Sequence, residues 1–82
     1  MTVTLLFFAA VRELVGDGEL RVELPREVCT IQQLPSWLEA RFPTLAGRMG
    51  SVRLARNEAF ADPKERIEDG DVIALIPPVA GG

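Results

Sequence analysis

The sequence predicts an α+β fold, a mixed four- to five-stranded sheet with one main helix across one face. Three observations carry that expectation. The apolar runs "TVTLLFF" and "VIALI", one near each end, have the length and the β-branched content of strands. "ELRVEL" alternates apolar and charged residues at period two, the pattern of a strand with one face in water. Between these segments, Ile31, Leu34, Leu38 and Phe42 recur at the spacing of one helix face. At 82 residues and 48% hydrophobic content, the chain fits one small domain with a single core.

The first strand is expected from Thr2 to about Phe8, followed by a short helical turn carrying Val11, Leu14 and Val15. Gly16, Asp17 and Gly18 end that turn. The second strand points Leu20, Val22 and Leu24 inward and Glu19, Arg21 and Glu23 outward. Thr30 and Gln33 form a capping-box pattern at the start of the main helix, which runs to about Phe42 with Trp37 beside its apolar stripe. Pro35 conflicts with that start, because past the first turn a proline removes an intrahelical bond; a start near Leu34 relieves the conflict. Pro43 ends the element.

"TLAGRMGS" reads as a connection and "VRLARN" as a strand, with Val52, Leu54 and Arg56 on one face and Arg53 and Ala55 on the other. "EAFADPKERIEDGD" has turn composition, with Phe60 and Ile67 expected to anchor it to the core. Asp69-Gly70-Asp71 then leads into the last strand. If both terminal strands lie centrally and parallel, the connection between them is the crossover of a β-grasp fold.

Composition excludes several chemistries. With no histidine the chain lacks the usual general base near neutral pH and the commonest metal ligand, and the single Cys29 forms no internal disulfide. No metal site is expected, and a reducing cytoplasmic location is. A net charge of −3 and scattered basic residues argue against nucleic acid, and no segment reads as a membrane span.

"VIALI" is apolar at every position, so both of its faces are expected to leave water, although one helix covers only one. Either a short loop covers the second face, or Phe8 and Ile76 lie on a surface that a partner covers. Beyond it, Pro77 and Pro78 donate no ladder hydrogen bonds and send the backbone out extended. Val79, Ala80, Gly81 and Gly82 then form a tail that reaches roughly 13 Å when stretched. Without a Cβ, Gly81 and Gly82 fit a narrow channel and leave the terminal carboxyl carbon open to attack. The expected division is a β-grasp domain over 1–78 and a flexible tail over 79–82.

"LLFFAAVRELVG", the capped helix and "IEDGDVIALIPPVAGG" together resemble the ubiquitin-like sulfur carriers, most closely the branch of small subunits of molybdopterin synthase. The resemblance spans nearly the whole chain, and "PPVAGG" after "DGDVIAL" is its specific part. It implies that Gly82 is the carrier site, adenylated with ATP by a separate E1-like adenylyltransferase and converted to a thiocarboxylate by a sulfurtransferase donor. It further implies docking in the large synthase subunit, in a heterotetramer, where the sulfur passes to a cyclic pyranopterin monophosphate. No cofactor is expected to stay bound, and the chain alone should be inactive. A protein modifier joined through Gly82, a carrier for thiamine or tRNA thiolation, and a noncovalent adaptor are the other readings.

Three further candidates have bland alternatives. Cys29 is expected as a buried small hydrophobe, the alternative being an exposed persulfide relay. Glu68, Asp69 and Asp71 read as a solvated turn rather than a cation site. Arg48, Arg53 and Arg56 either gather toward an acidic partner or are scattered surface charges.

Overall fold

The computed structural model describes residues 1–78. Its elements are β1 (Thr2–Phe7), α1 (Ala9–Val15), β2 (Glu19–Glu23), α2 (Leu34–Arg41), β3 (Arg53–Arg56), β4 (Ala59–Phe60) and β5 (Val72–Ile76). They build a five-stranded sheet in the order β2-β1-β5-β3-β4. β1 and β5 are parallel neighbours at its centre, and the other pairings are antiparallel. That is the expected β-grasp crossover, since two parallel strands cannot be joined by a tight hairpin.

One face of the sheet carries the core. Val3, Leu5, Phe7, Ile73 and Leu75 are buried there against Ile31, Leu34, Leu38 and Phe42, so the helical stripe faces inward as its spacing predicts. The Phe7 and Phe42 rings meet edge to face at 5.5 Å.

Pro35 is accommodated by splitting the helix. A 3₁₀ turn over Ile31–Gln33 follows Thr30, and α2 starts at Leu34, which leaves Pro35 in its first turn where no intrahelical donor is lost. Gln33 Oε1 accepts from the backbone amides of Cys29 and Thr30, so the glutamine half of the capping box forms. Thr30 Oγ1 is buried and meets no partner.

The connection after α2 is more ordered than its composition suggests. Two 3₁₀ turns, Pro43–Leu45 and Met49–Ser51, bury Leu45 and Met49 in the core. The Thr44 hydroxyl donates to the Leu14 carbonyl at 2.7 Å and Glu39 accepts from the Met49 amide at 3.2 Å, tying this connection to both helices.

Several expectations need correction. β1 stops at Phe7, and Phe8 caps the start of α1. Phe60 does not enter the core: it is 56% exposed, on β4, which the turn-like composition around it concealed. Asn57 and Glu58 both take positive φ, 50° and 73°, in the two-residue loop joining β3 to β4, the geometry of a type I′ hairpin. Cys29 is half-buried rather than fully buried, and its thiol donates to the Arg26 carbonyl at 3.0 Å.

Asp71 is the largest departure. Read as part of a solvated turn, it is only 6% exposed and paired with Arg56. Its Oδ2 accepts from Arg56 Nε and from the Glu68 amide, and its Oδ1 accepts from Asn57 Nδ2. Asn57 Oδ1 in turn accepts from the Val72 amide at 2.9 Å, and Arg56 also reaches Glu65. The neighbouring Asp69 does work at the surface, accepting from the Thr2 amide at 2.7 Å. This network fixes where β5 begins against β1 and β3.

Burial pushes the Asp71 carboxyl up, but the hydrogen bonds from Arg56, the Glu68 amide and Asn57, with the guanidinium charge, outweigh it and hold the group below the ordinary carboxylate range. A carboxyl depressed in the folded state stabilises fully above its unfolded pKa, about 3.9, and that contribution disappears as pH falls through the folded value. Asp71→Asn is therefore expected to cost about 1–3 kcal/mol at neutral pH, with the gap to the parent protein closing as pH falls below the ordinary carboxylate range. Urea unfolding at stepped pH measures both; a gap independent of pH would contradict the role assigned to the charge.

Candidate docking face and carrier tail

The second face of the sheet is open. Thr4, Leu6, Val72, Ala74 and Ile76 alternate with the buried residues of β1 and β5 and point away from the helices, as period two requires. Among the described residues no loop covers them. The second face of "VIALI" is thus left by the described chain as an apolar surface.

That surface is a depression of about 430 Å3 lined by Leu6, Phe8, Ala55, Phe60, Val72, Ala74 and Ile76, with Asn57 and Glu58 as its polar lining residues. Phe8, 46% exposed, is turned onto it where the chain leaves β1, just before Ala9 bends the backbone with φ 48°. Ile76 pairs in register with Arg53, and Ala74 with Ala55. The two positions singled out from sequence, Phe8 and Ile76, thus share one apolar face. Phe60 and the alanine pair were missed, because their contribution depends on the β3–β4 hairpin, which has no strong local signal apart from Asn57.

The three arginines do not gather. Arg53 lies on the open face with its guanidinium carbon 3.8 Å from the Phe60 ring centroid. Arg56 is on the opposite side, engaged by Asp71 and Glu65. The Asp71 partnership, first of all the hydrogen bond, raises the Arg56 pKa still further. Arg48 borders a second, smaller depression with Val11, Leu14 and Val52.

Pro77 and Pro78 flank that smaller depression, beside α1 and the turn over Met49–Ser51. The ladder ends at Ile76, as expected where the next two residues lack an amide donor. The exit of the chain is thus set by a strand paired on both edges, followed by two residues of restricted φ. Val79, Ala80, Gly81 and Gly82, the remaining residues singled out from sequence, lie outside the described residues.

Among the described residues no group of acidic or cysteine side chains could hold a metal ion, and no helix is long and apolar enough to cross a membrane. Nothing in this region resembles an enclosed catalytic cleft. What it offers is a surface for a second protein beside the base of a directed strand end.

The chain is similar to known proteins over nearly its whole length. The molybdopterin synthase sulfur carrier subunit of Chlamydomonas reinhardtii is 36% identical over 84 residues, covering 100% of both chains. The corresponding subunit of Drosophila yakuba is 39% identical over 85 residues, covering 100% of this chain and 92% of the relative. Among solved structures, the small archaeal modifier protein 1 of Haloferax volcanii superposes with a TM-score of 0.80 at 26% identity, covering 95% of this chain and 98% of that one. A chain in the complex of subunits 1 and 2 of molybdopterin-converting factor from Helicobacter pylori 26695 superposes with a TM-score of 0.71 at 26% identity, covering 100% of each. With residues 5–82 matching its family description and near-complete relatives at this identity, the chain belongs to the ThiS family.

Proposed function

We propose that this chain is the sulfur carrier subunit of molybdopterin synthase, with the carboxylate of Gly82 as the site that carries sulfur. The observation that supports this reading most is the directed exit of β5. A central strand, locked by neighbours on both edges, hands the chain to Pro77-Pro78, with Val79 and Ala80 leading from there to Gly81-Gly82.

The chemistry follows from the weakness of a carboxylate as an acyl donor. In a separate E1-like adenylyltransferase, the Gly82 carboxylate attacks the α-phosphorus of ATP and releases pyrophosphate, so that the acyl carbon gains AMP as a leaving group. The persulfide of a sulfurtransferase donor then displaces AMP through its terminal sulfur, and attack of a thiol on the donor-side sulfur of the resulting acyl disulfide releases the thiocarboxylate and leaves a disulfide behind. Gly81 and Gly82 give clearance for this attack, Val79 and Ala80 span the channel, and Pro77 and Pro78 aim the segment. Residues 1–78 act as the rigid handle and 79–82 as the reactive arm.

Delivery requires the open face. In this reading Phe8 and Ile76 dock on the large synthase subunit, in a heterotetramer, so that the thiocarboxylate reaches the cyclic pyranopterin monophosphate. A chain without histidine lacks the usual proton-transfer side chain near neutral pH, which leaves general acid and base work to the partner. The protein works in the cytoplasm without a resident cofactor; ATP is consumed on the activating enzyme.

The likeness to an archaeal modifier protein favours a second reading, in which Gly82 is joined to lysines of other proteins. Intact mass spectrometry of the protein from cells separates the two: one oxygen replaced by sulfur supports the carrier, and high-mass conjugates support the modifier.

One extension and one substitution test the assignment. Extending the chain beyond Gly82 is expected to abolish sulfur transfer with the thermal midpoint unchanged, and an extended, unprocessed protein that still supports cofactor synthesis would overturn the carrier role. Ile76→Asp is expected to weaken binding of the large subunit at least about tenfold, while stability falls by no more than about 1 kcal/mol because the side chain is on the open face. Pull-down titration beside urea unfolding distinguishes this from a general folding defect.

A further inference from the structure

The depression on the open face owes its shape to two alanines. Ala55 and Ala74 are direct cross-strand partners, so their methyl groups form a low floor, with Leu6, Phe8, Phe60 and Ile76 standing around it. Larger residues at this pair would level the surface. A floor of this kind receives a projecting side chain better than a flat partner.

The rim is chemically uneven. The Asn57 side chain is already engaged by Asp71 and the Val72 amide, and Arg53 is stacked on Phe60. Glu58 is different: it is exposed at the depression and forms no salt bridge with another described residue. It also occupies the second central position of the hairpin loop at φ 73°, where glycine would avoid the steric cost that an L-residue incurs. The loop therefore presents a free carboxylate beside an apolar socket, in a conformation that the fold alone would fill better with glycine.

We propose that the socket takes one occupant, a segment of the large synthase subunit that seats a bulky apolar side chain over the Ala55–Ala74 floor and sets a lysine or arginine against Glu58. This rests on the carrier reading above and names the chemistry by which the partner is recognised. Charge complementarity selects a cationic neighbour, since Glu58 is the free charge of the rim and the chain carries a net charge of −3. The floor selects the projecting apolar group. Glu58 is then a specificity-determining residue held in a strained turn.

The test titrates the full chain against the purified large synthase subunit by calorimetry at low and high salt, with a thermal melt of each variant. Glu58→Gln keeps the strain and removes the charge: it is expected to weaken binding about five- to tenfold at low salt with an unchanged melting midpoint. Glu58→Gly removes both, so it is expected to lose the same affinity while melting several degrees higher. In both variants the salt dependence of binding should flatten. Ala74→Ile, a β-branched residue on the open face, is expected to melt normally and lose binding by filling the floor. If both Glu58 variants bind as the parent does, the ionic contact is overturned while the carrier reading stands. Tight binding by a folded Ala74→Ile overturns the seated side chain. A parent protein that associates only with itself, and never with the large subunit, overturns both this proposal and the reading beneath it.

Discussion

The parallel pairing of β1 with β5 is the constraint on which the rest of the structure depends. Thr4 to Phe7 run alongside Val72 to Leu75, so the two ends of the chain meet at the middle of the sheet. A parallel pair cannot be closed by a hairpin, so part of the chain between must cross over one face. That crossing segment is α2 with its flanking turns, and its apolar stripe covers the residues β1 and β5 bury. Because the crossover occupies one side, the other side of the same two strands stays uncovered by the described chain. The open face is thus a consequence of topology as much as of sequence.

A strand made almost wholly of apolar residues has little to fix its register, since a slip by two positions still buries hydrophobic groups. The Asp71 cluster supplies what "VIALI" lacks. One carboxylate collects donors from Arg56, Asn57 and Glu68, and Asn57 binds the backbone of the next residue as well. Polar interactions specific in direction thereby pin the start of a strand whose packing is nonspecific. Gly70, at φ 86°, lets the turn close so that its amide reaches the Thr2 carbonyl. The end of β5 that carries the tail is then set by the end that carries the charge.

What was legible in the sequence follows the range of the interactions involved. "ELRVEL", the stripe from Ile31 to Phe42 and the glutamine half of the capping box are local patterns, and each folds as its spacing says. "VIALI" pointed to a central position because its composition leaves neither face polar. Phe60 and Asp71 were misread for the converse reason. A phenylalanine among turn formers looks like an anchor, and an aspartate beside glycine looks like a solvated turn, until pairings with Ala55 and Arg56 decide their faces. Of the candidate site, Phe8 and Ile76 could be placed on one surface from alternation alone, whereas Ala55, Ala74 and Glu58 needed the register of β3.

An open apolar face is an aggregation hazard, and this sheet limits it in ways that also shape its use. β4 is only two residues long, which shortens one free edge, and the exposed side chains of β2 alternate Glu19, Arg21 and Glu23 on the other. Arg53 covers part of the Phe60 ring. On the proposed reading, a carrier that visits an activating enzyme and then a synthase must also leave each of them. A small patch of aliphatic and aromatic groups with a charged rim meets that demand: charge raises the rate of encounter, and the limited area keeps dissociation fast. A larger, wholly apolar face would bind one partner too long to serve the next. On that reading, the modest size of the surface sets the turnover of the carrier.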